Sequence, residues 1–290
     1  MSERDKRWGD RRDAYWIRDV DGLHTIMPHL MNKRTDAEVY VNYELDVTEL
    51  MSFLKERNAS ETGDRTKFFH CVIMAVARLV QLRPELNTYV SGRRMYMRHK
   101  TSMAFVARRD FKDGSRESLI ITEVEDDWTL RKVTDEITGS IRHVRETESY
   151  GVDKTLDRFA KVPRPLLMLV MGVVRLLDFY GKTPRSITAG DPNFCTVLLS
   201  NLGSIGCPSV YHHLNNYGTN SIVATIGTIR SKEMIDKDGS RSVREVVDVG
   251  ITMDERIADG MYFARSLKTL QDILSKPELL DIPMRERIEL

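Results

Sequence analysis

The chain has 290 residues, with 44 Lys and Arg against 43 Asp and Glu, so its formal net charge is +1. This even balance argues against a nucleic-acid partner, and the length is enough to bury one substantial hydrophobic core. The three cysteines, Cys71, Cys195 and Cys207, form no Cys-x-x-Cys pair, which indicates reduced thiols and no metal site. Residues 1–19 lack the apolar core of a signal peptide, so we expect a cytoplasmic protein.

The first half of the chain alternates between patterns typical of strands and of helices. Residues 39–47 alternate between apolar and polar, which predicts a strand, and a helix begins directly after them. In residues 68–82 apolar side chains cover most of a helical surface, which predicts a helix buried on more than one side. Residues 101–108 and 118–124 predict a hairpin with its turn at residues 112–115.

The second half continues the same mixture. Residues 130–144 place apolar side chains three and four apart, which predicts an amphipathic helix. Three runs rich in β-forming residues follow at 194–199, 221–226 and 243–251, and a last amphipathic helix spans residues 261–274. Because helices and strands are interspersed, with both hairpin and crossover links, the sequence predicts an α/β protein with a mixed sheet.

One stretch is more apolar than the rest. Residues 166–177 are shorter than the roughly 20 residues of a membrane-spanning helix, and Arg175 interrupts them. We expect a helix that is buried or that packs against another subunit, and membrane contact is not expected. Two less favoured interpretations are that the helix lines a site for a long acyl chain or lies on a membrane surface.

A short motif, Asp254-Glu255-Arg256-Ile257-Ala258-Asp259-Gly260, precedes the last predicted helix, and four earlier segments accompany it. In chain order the five segments are residues 43–50, 83–87, 199–206, 224–227 and 254–260. Together they resemble the superfamily of chloramphenicol acetyltransferases and 2-oxo acid dehydrogenase acyltransferases, over most of the chain. The last segment resembles the active-site motif His-x-x-x-Asp-Gly of this superfamily, with Glu255 at the position of the histidine.

This resemblance implies a two-layer α/β sandwich with a mixed sheet flanked by helices. It would be formed by residues 21–290, after a charged extension of residues 1–20. The resemblance also implies a homotrimer or an assembly of trimers, with active sites at the subunit boundaries. Coenzyme A or an acyl-CoA would be a substrate, without a metal. No lipoyl domain, subunit-binding domain or flexible linker is visible in these residues, so we expect any lipoyl group to arrive on another protein.

Two site residues follow from the resemblance at matching positions. Ser200 corresponds to the serine that donates a hydrogen bond to the developing oxyanion, although the same residues could simply end a strand in a turn. Asp259 corresponds to the motif aspartate, which in the family fixes its loop through an arginine near the start of the domain. At the best-aligned early position this chain has His24, with Arg18 close by.

The sequence leaves open which residue accepts the proton from the acceptor molecule. A free carboxyl has a pKa of about 4.3 and a thiol one of about 8.5, so Glu255 is a weak base unless burial raises its pKa. His212 and His213 follow Ser200 and could replace the missing histidine, or could be partly exposed loop residues. The sequence therefore predicts a CoA-dependent acyltransferase with an unknown thiol, hydroxyl or amine acceptor. The alternative is a catalytically inactive trimeric core or scaffold.

Overall fold

The computed structural model describes residues 6–60, 62–108, 117–146, 161–188, 190–236 and 238–290. The strands are β1 (Ala14–Trp16), β2 (Glu38–Asp46), β3 (Thr88–Ser91), β4 (Arg94–Arg98), β5 (Ser102–Arg108), β6 (Glu117–Glu123), β7 (Val197–Asn201), β8 (Ile222–Ile226), β9 (Arg230–Ile235) and β10 (Arg241–Asp254). The helices are α1 (Gly22–Leu30), α2 (Thr48–Ser60), α3 (Phe68–Leu82), α4 (Leu130–Glu146), α5 (Arg164–Phe179), α6 (Arg185–Thr188) and α7 (Gly260–Leu274). The predicted turn at residues 112–115 lies outside the described residues.

Differences between the predicted and observed elements have local causes. Helix α3 covers the predicted residues 68–82. The strand predicted at 194–199 begins only at Val197, because Asp191 caps a preceding 3-10 turn by accepting a hydrogen bond from Asn193 N at 2.9 Å. The sequence does not predict the hairpin of β3 and β4, since every residue of β3 is buried and no alternation results.

Seven of the described strands form one large sheet. Its order is β2-β10-β8-β7-β5-β6, and β9 pairs with the first half of β10. Strand β7 is parallel to both β5 and β8, whereas the other pairs are antiparallel. The predicted mixed sheet is thus confirmed. The remaining strands form a small antiparallel sheet in the order β1-β4-β3.

Helices α2, α3, α4 and α7 pack on one side of the large sheet, which we call the helix face. Alternation along the strands directs Leu199 of β7, Ala224 of β8 and Val249 of β10 toward these helices. Ile73 of α3 and Ile273 of α7 are fully buried in the same core. We call the opposite side of the sheet the outer face, and it receives the residues that lie between these core positions in the sequence.

Helix α5 differs from its predicted environment. Within the described residues only Val174 of this helix is buried, whereas Leu166, Met168, Leu169 and Leu176 are each at least half exposed. Within the described part of the chain α5 is therefore not the buried helix that was predicted, because only one of its sides packs against these residues. Packing against another subunit stays a prediction. None of the described helices is both long and apolar enough to cross a bilayer.

Candidate active site

A row of four residues crosses the outer face of the large sheet. Ser200 of β7 pairs with Thr225 of β8, which pairs with Gly250 of β10, which pairs with Asn42 of β2. Strand neighbours such as Leu199, Ala224 and Val249 belong to the core. The side chains of Ser200, Thr225 and Asn42 therefore point to the outer face, and Gly250 lies in the same row. The row connects Ser200 to the strand that leads into the motif around Glu255.

Residues 207–214 run over this row, and we call them the crossing segment. Thr225 Oγ1 accepts a hydrogen bond from Val210 N at 3.0 Å and also contacts Val210 O. A Cβ at position 250 would collide with the same carbonyl oxygen, so Gly250 allows the segment to approach the sheet. At this row the outer face is therefore covered by the crossing segment, which is joined to the sheet through polar contacts.

Ser200 carries a hydroxyl that no other described group uses. The residue is partly exposed, and its Oγ forms no hydrogen bond within the described part of the chain. Strand β7 ends one residue later, and a 3-10 turn at Leu202–Ile205 takes the chain off the sheet. A hydroxyl at such a strand end is free to donate a hydrogen bond to an oxygen of a bound molecule.

The turn after β10 is fixed by a buried ion pair. Arg256 Nε and Nη2 lie 2.7 and 2.6 Å from the two carboxylate oxygens of Asp254. Both side chains are almost completely buried. Arg256 Nη1 also donates to Met31 O at 2.8 Å, so the pair is joined to the residue that ends α1. The backbone on both sides of Glu255 is thus held in place.

A second buried arginine lies close to this ion pair. Arg34 is 5% exposed and donates to two backbone carbonyl oxygens, each at 3.1 Å. Burial lowers the pKa of Arg34 to about 10, although the nearby Asp254 carboxylate raises it in part and Arg256 lowers it further. Two arginines therefore share the field of one carboxylate next to the motif.

Glu255 is the only residue between Ile251 and Ala258 that solvent reaches. Its backbone N–H donates to Ala37 O at 2.9 Å, which continues the pairing of β10 with the chain before β2. Its carboxylate forms no ion pair or hydrogen bond with the described residues. The turn therefore presents a partly exposed carboxylate that has no polar partner among the described residues.

Ser200 and Glu255 are far apart within one chain. Gly250 lies two strands from Ser200 in the row, and Glu255 lies further along β10 from Gly250. With about 3.4 Å per residue along a strand and about 4.8 Å between strands, the separation is about 20 Å. One chain alone does not bring these two predicted site residues together.

His212 and His213 lie on the crossing segment, near the same end of the sheet as Glu255. The next residue, Leu214, is buried and donates its N–H to Glu38 Oε1 at 2.5 Å. Glu38 is the first residue of β2 and pairs with the last residue of β10. The two histidines are therefore displaced from Ser200 toward the turn that carries Glu255.

The backbone contacts of the two rings fix their tautomers. His212 Nδ1 lies 2.9 Å from His213 O, and His213 Nδ1 lies 3.3 Å from Leu214 O. Because a carbonyl oxygen only accepts hydrogen bonds, each Nδ1 carries a proton and each neutral ring keeps its lone pair at Nε2. Both rings are exposed, with centroids 4.7 Å apart. Either Nε2 can accept a proton from a bound molecule.

Asp259 caps a helix and contacts no cation among the residues that the structure describes. Its carboxylate accepts a hydrogen bond from Tyr262 N at 2.6 Å, which makes it the N-cap of α7. His24 Nδ1 lies 2.5 Å from Asp21, and Arg18 donates to a backbone carbonyl of the N-terminal extension. Neither early residue that the alignment offered as a partner of Asp259 is bound to it.

The residues that support the site were not among the predicted site residues. Asp254 and Arg256 are opposite charges two residues apart at the end of an apolar strand, and this pattern was a usable signal of a buried pair. Arg34 and Thr225 had no local signal, because their partners come from distant parts of the chain. Across the described ranges, no three His, Cys, Asp or Glu side chains are grouped as a metal site.

Solved structures share the fold that positions these residues. A chloramphenicol acetyltransferase matches with a TM-score of 0.55 and 14% identity, over 90% of this chain and 99% of that one. An Azotobacter vinelandii dihydrolipoamide acetyltransferase was studied for the role of a serine, a histidine and an asparagine in its mechanism. It matches with a TM-score of 0.62 and 15% identity, over 92% of this chain and 94% of that one. The fold is thus the predicted chloramphenicol acetyltransferase-like α/β fold.

The family is defined by sequence. The profile of the 2-oxoacid dehydrogenase acyltransferase catalytic domain matches residues 23–147 and 184–282. This match covers more than half of the chain, so the protein belongs to the family of 2-oxoacid dehydrogenase acyltransferase catalytic domains. The match passes over residues 148–183, which include all of α5.

A curated relative is similar over much of this chain. The lipoamide acyltransferase component of the branched-chain alpha-keto acid dehydrogenase complex of Bacillus subtilis is 20% identical over 250 residues. The alignment covers 83% of this chain and 48% of the relative. The chain thus spans about half the length of the curated relative that it matches.

Proposed function

We propose that this protein transfers an acyl group between a thioester of coenzyme A and a thiol, hydroxyl or amine acceptor, in active sites formed between two copies of the chain. Membership of the acyltransferase family supports the class of reaction. The observation that carries the arrangement is the separation of about 20 Å between Ser200 and Glu255 within one chain. In a homotrimer or an assembly of trimers, Ser200 of one copy faces the turn with Glu255 of the next.

Ser200 stabilises the charge that develops during transfer. Attack on the thioester carbonyl places negative charge on its oxygen, and the free Ser200 hydroxyl donates a hydrogen bond to that oxygen. Loss of one such donor typically lowers the rate by about 10²-fold or more. Asp259 contributes indirectly, since its capping bond sets where α7 begins beside the motif.

The proton acceptor lies on the opposite wall of this site. An imidazole, with an ordinary pKa near 6.5, is better matched to deprotonating a thiol at neutral pH than a carboxylate near 4.3. The free Nε2 atoms of His212 and His213 support a histidine as base. Glu255 then acts either as a second acceptor or through its charge on a bound amine or thiol.

An assay of the purified chain tests this proposal. CoA release from acetyl-CoA is measured with a panel of acceptors, including free dihydrolipoamide and a lipoylated carrier protein. We expect turnover that falls about 10²-fold in Ser200→Ala. Ser204→Ala is the matched control, because this exposed serine lies in the next turn and donates only to Asn201 O. The proposal is contradicted if the purified chain neither binds acyl-CoA nor turns it over with any of the acceptors.

Complementation tests the site between copies. Three single variants first identify the residue opposite Ser200 whose loss abolishes turnover: Glu255→Gln, His212→Ala and His213→Ala. The control is His29→Ala, since His29 is exposed. Co-expressing that variant with Ser200→Ala restores activity if each site combines Ser200 of one copy with the wall of another. Restored activity requires mixed oligomers, which two differently sized tags identify. Mixed oligomers without activity place the site within one chain.

The second candidate function is a non-catalytic core that keeps the fold and the subunit contacts. It is favoured by the carboxylate of Glu255 in the motif position of the histidine. Glu255→His discriminates between the two, because turnover gained on this change reveals a pocket that lacked only its base. An oligomer with no turnover before or after the change supports the non-catalytic core.

A further inference from the structure

Helix α5 presents a continuous apolar stripe to solvent. The stripe consists of Leu166, Leu169, Val173, Leu176 and Tyr180, which are 49 to 66% exposed. Their spacing of three and four residues places them on one side of the helix. The other side faces the protein, where Val174 is buried. Both sides of α5 are therefore apolar, but only one is covered by the described residues.

The helix is fixed in this orientation at its C-terminal end. Arg11 Nη1 lies 3.3 Å from Asp178 Oδ1, and Arg11 Nη2 donates to Ser91 Oγ at 2.7 Å. A Cβ at Gly92 would collide with the carbonyl oxygen of Phe179, so the helix end lies directly on the turn between β3 and β4. The stripe is consequently held outward by contacts with the folded domain.

Positive charge lies within α5 and on both sides of it in the sequence. The cations are Lys161, Arg164, Arg175, Lys182 and Arg185. All five are exposed, and none has an ion-pair partner in the part of the chain that the structure describes. The only carboxylate between residues 161 and 188 is Asp178, which Arg11 occupies. Residues 161–188 thus carry an excess of four positive charges, whereas the rest of the chain has 39 Lys and Arg against 42 Asp and Glu.

We infer that the α5 stripe and its five cations form a docking surface for an anionic lipid membrane. The helix would lie in the plane of the interface, with the stripe among the upper acyl carbons and the cations at lipid phosphates. Its 16 residues span only about 24 Å along the axis, which fits a helix lying on a bilayer and not one crossing it. Shallow insertion and electrostatic attraction supply the two signals that stable attachment requires.

Other occupants fit the surface less well. A second copy docked by two-fold symmetry would bring the same five cations toward each other without acids to neutralise them. Packing of α5 against a different surface of the next copy in a trimer is an outcome that the self-association measurement below detects. A single long acyl chain would be enclosed by a cavity, whereas the stripe faces solvent. An anionic membrane matches both the apolar stripe and the sign of the charge. The inference does not depend on the proposed acyl transfer.

Vesicle co-sedimentation of the full chain tests the inference. We expect binding to phosphatidylcholine vesicles that contain phosphatidylserine, weaker binding to phosphatidylcholine alone, and release by salt. Leu169→Glu combined with Leu176→Glu should lower binding at least about tenfold. The matched control is Ile235→Glu with Val243→Glu, which places the same charges on exposed apolar residues of β9 and β10.

Several outcomes would overturn the inference. One is that the unmodified chain does not bind anionic vesicles at low salt. Another is that the control variant loses as much binding as the α5 variant. A self-association in lipid-free buffer that the α5 variant abolishes would instead assign the surface to a second copy. If the α5 variant does not fold, the test is hydrogen exchange of the unmodified chain with and without anionic vesicles. Vesicle-induced protection of residues 164–180 supports the surface, and unchanged exchange there rejects it.

Discussion

The two faces of the large sheet are built from different chemistry. The helix face is closed by aliphatic side chains such as Leu199 and Ile73, whose packing is non-directional. The outer face depends on single polar contacts, including the hydrogen bond of Val210 to Thr225 and the Asp254–Arg256 pair. Similar-sized apolar exchanges are tolerated in the first kind of environment, whereas the second depends on individual atoms. Substitutions on the two faces should therefore have different effects on stability and function.

The largest effect is expected where the outer face contains buried charge. Arg256→Met leaves the Asp254 carboxylate buried without its partner, which should reduce the free energy of unfolding by about 3 to 5 kcal/mol. Urea unfolding measures the loss. Arg244→Met is the control, since Arg244 pairs with Asp46 at 3.5 Å on a more exposed part of β10 and should cost no more than about 1 kcal/mol. Equal losses in the two variants would contradict the distinction.

On the helix face we expect the free energy of unfolding to depend on pH through one buried histidine. His70 of α3 is 2% exposed, and burial, with a smaller contribution from Lys67, lowers its pKa to about 4. The unfolded chain binds this proton near pH 6.5, so the stabilising contribution is complete above that pH and is lost as the pH falls toward 4. Over this pH range the free energy of unfolding should fall by about 3 kcal/mol in total. Urea unfolding across this range should show the loss in the unmodified chain and in His29→Gln, but not in His70→Gln. The same pH slope in both variants would assign the effect to other groups.

The smallest of the three effects concerns the contact between the crossing segment and the sheet. Gly250→Ala should cost about 1 to 3 kcal/mol, because the new methyl group displaces Val210 from β10. Gly139→Ala is the control, as it lies in α4 with no atom near the added Cβ and should stabilise by about 0.5 to 1 kcal/mol. Thermal unfolding gives both values. Two changes of the same sign would show that the segment is not held close to the sheet.

The same contrast explains how much of the fold the sequence could predict. Helix α3 and the mixed sheet followed from apolar periodicity, because the helix face imposes that periodicity on each element. Strand β9 was missed because all six of its residues are exposed and show no alternation between buried and exposed positions. The hairpin of β3 and β4 was missed for the opposite reason, since burial on both sides leaves it without alternation. Alternation therefore reveals strands with one covered face and fails for strands that are exposed or buried on both faces.

For the candidate site, the sequence offered residue types but little geometry. Ser200 and Glu255 are visible as motif positions, whereas their separation depends on the strand order β7-β8-β10, which no local pattern encodes. The tautomers of His212 and His213 depend on backbone carbonyls of their own segment. The excess charge around α5 is readable in the sequence, but the exposure of its stripe is a tertiary property.

The isolation of the Glu255 side chain has a consequence for how this site can change over generations. Its neighbours Asp254 and Arg256 fix the turn, and its own backbone is bound to Ala37, so the turn does not depend on a polar contact of the Glu255 side chain with the described residues. A substitution at position 255 therefore breaks no hydrogen bond or ion pair among the described residues. The chemistry of this position can change, for example between glutamate and histidine, without loss of a polar contact that holds the turn.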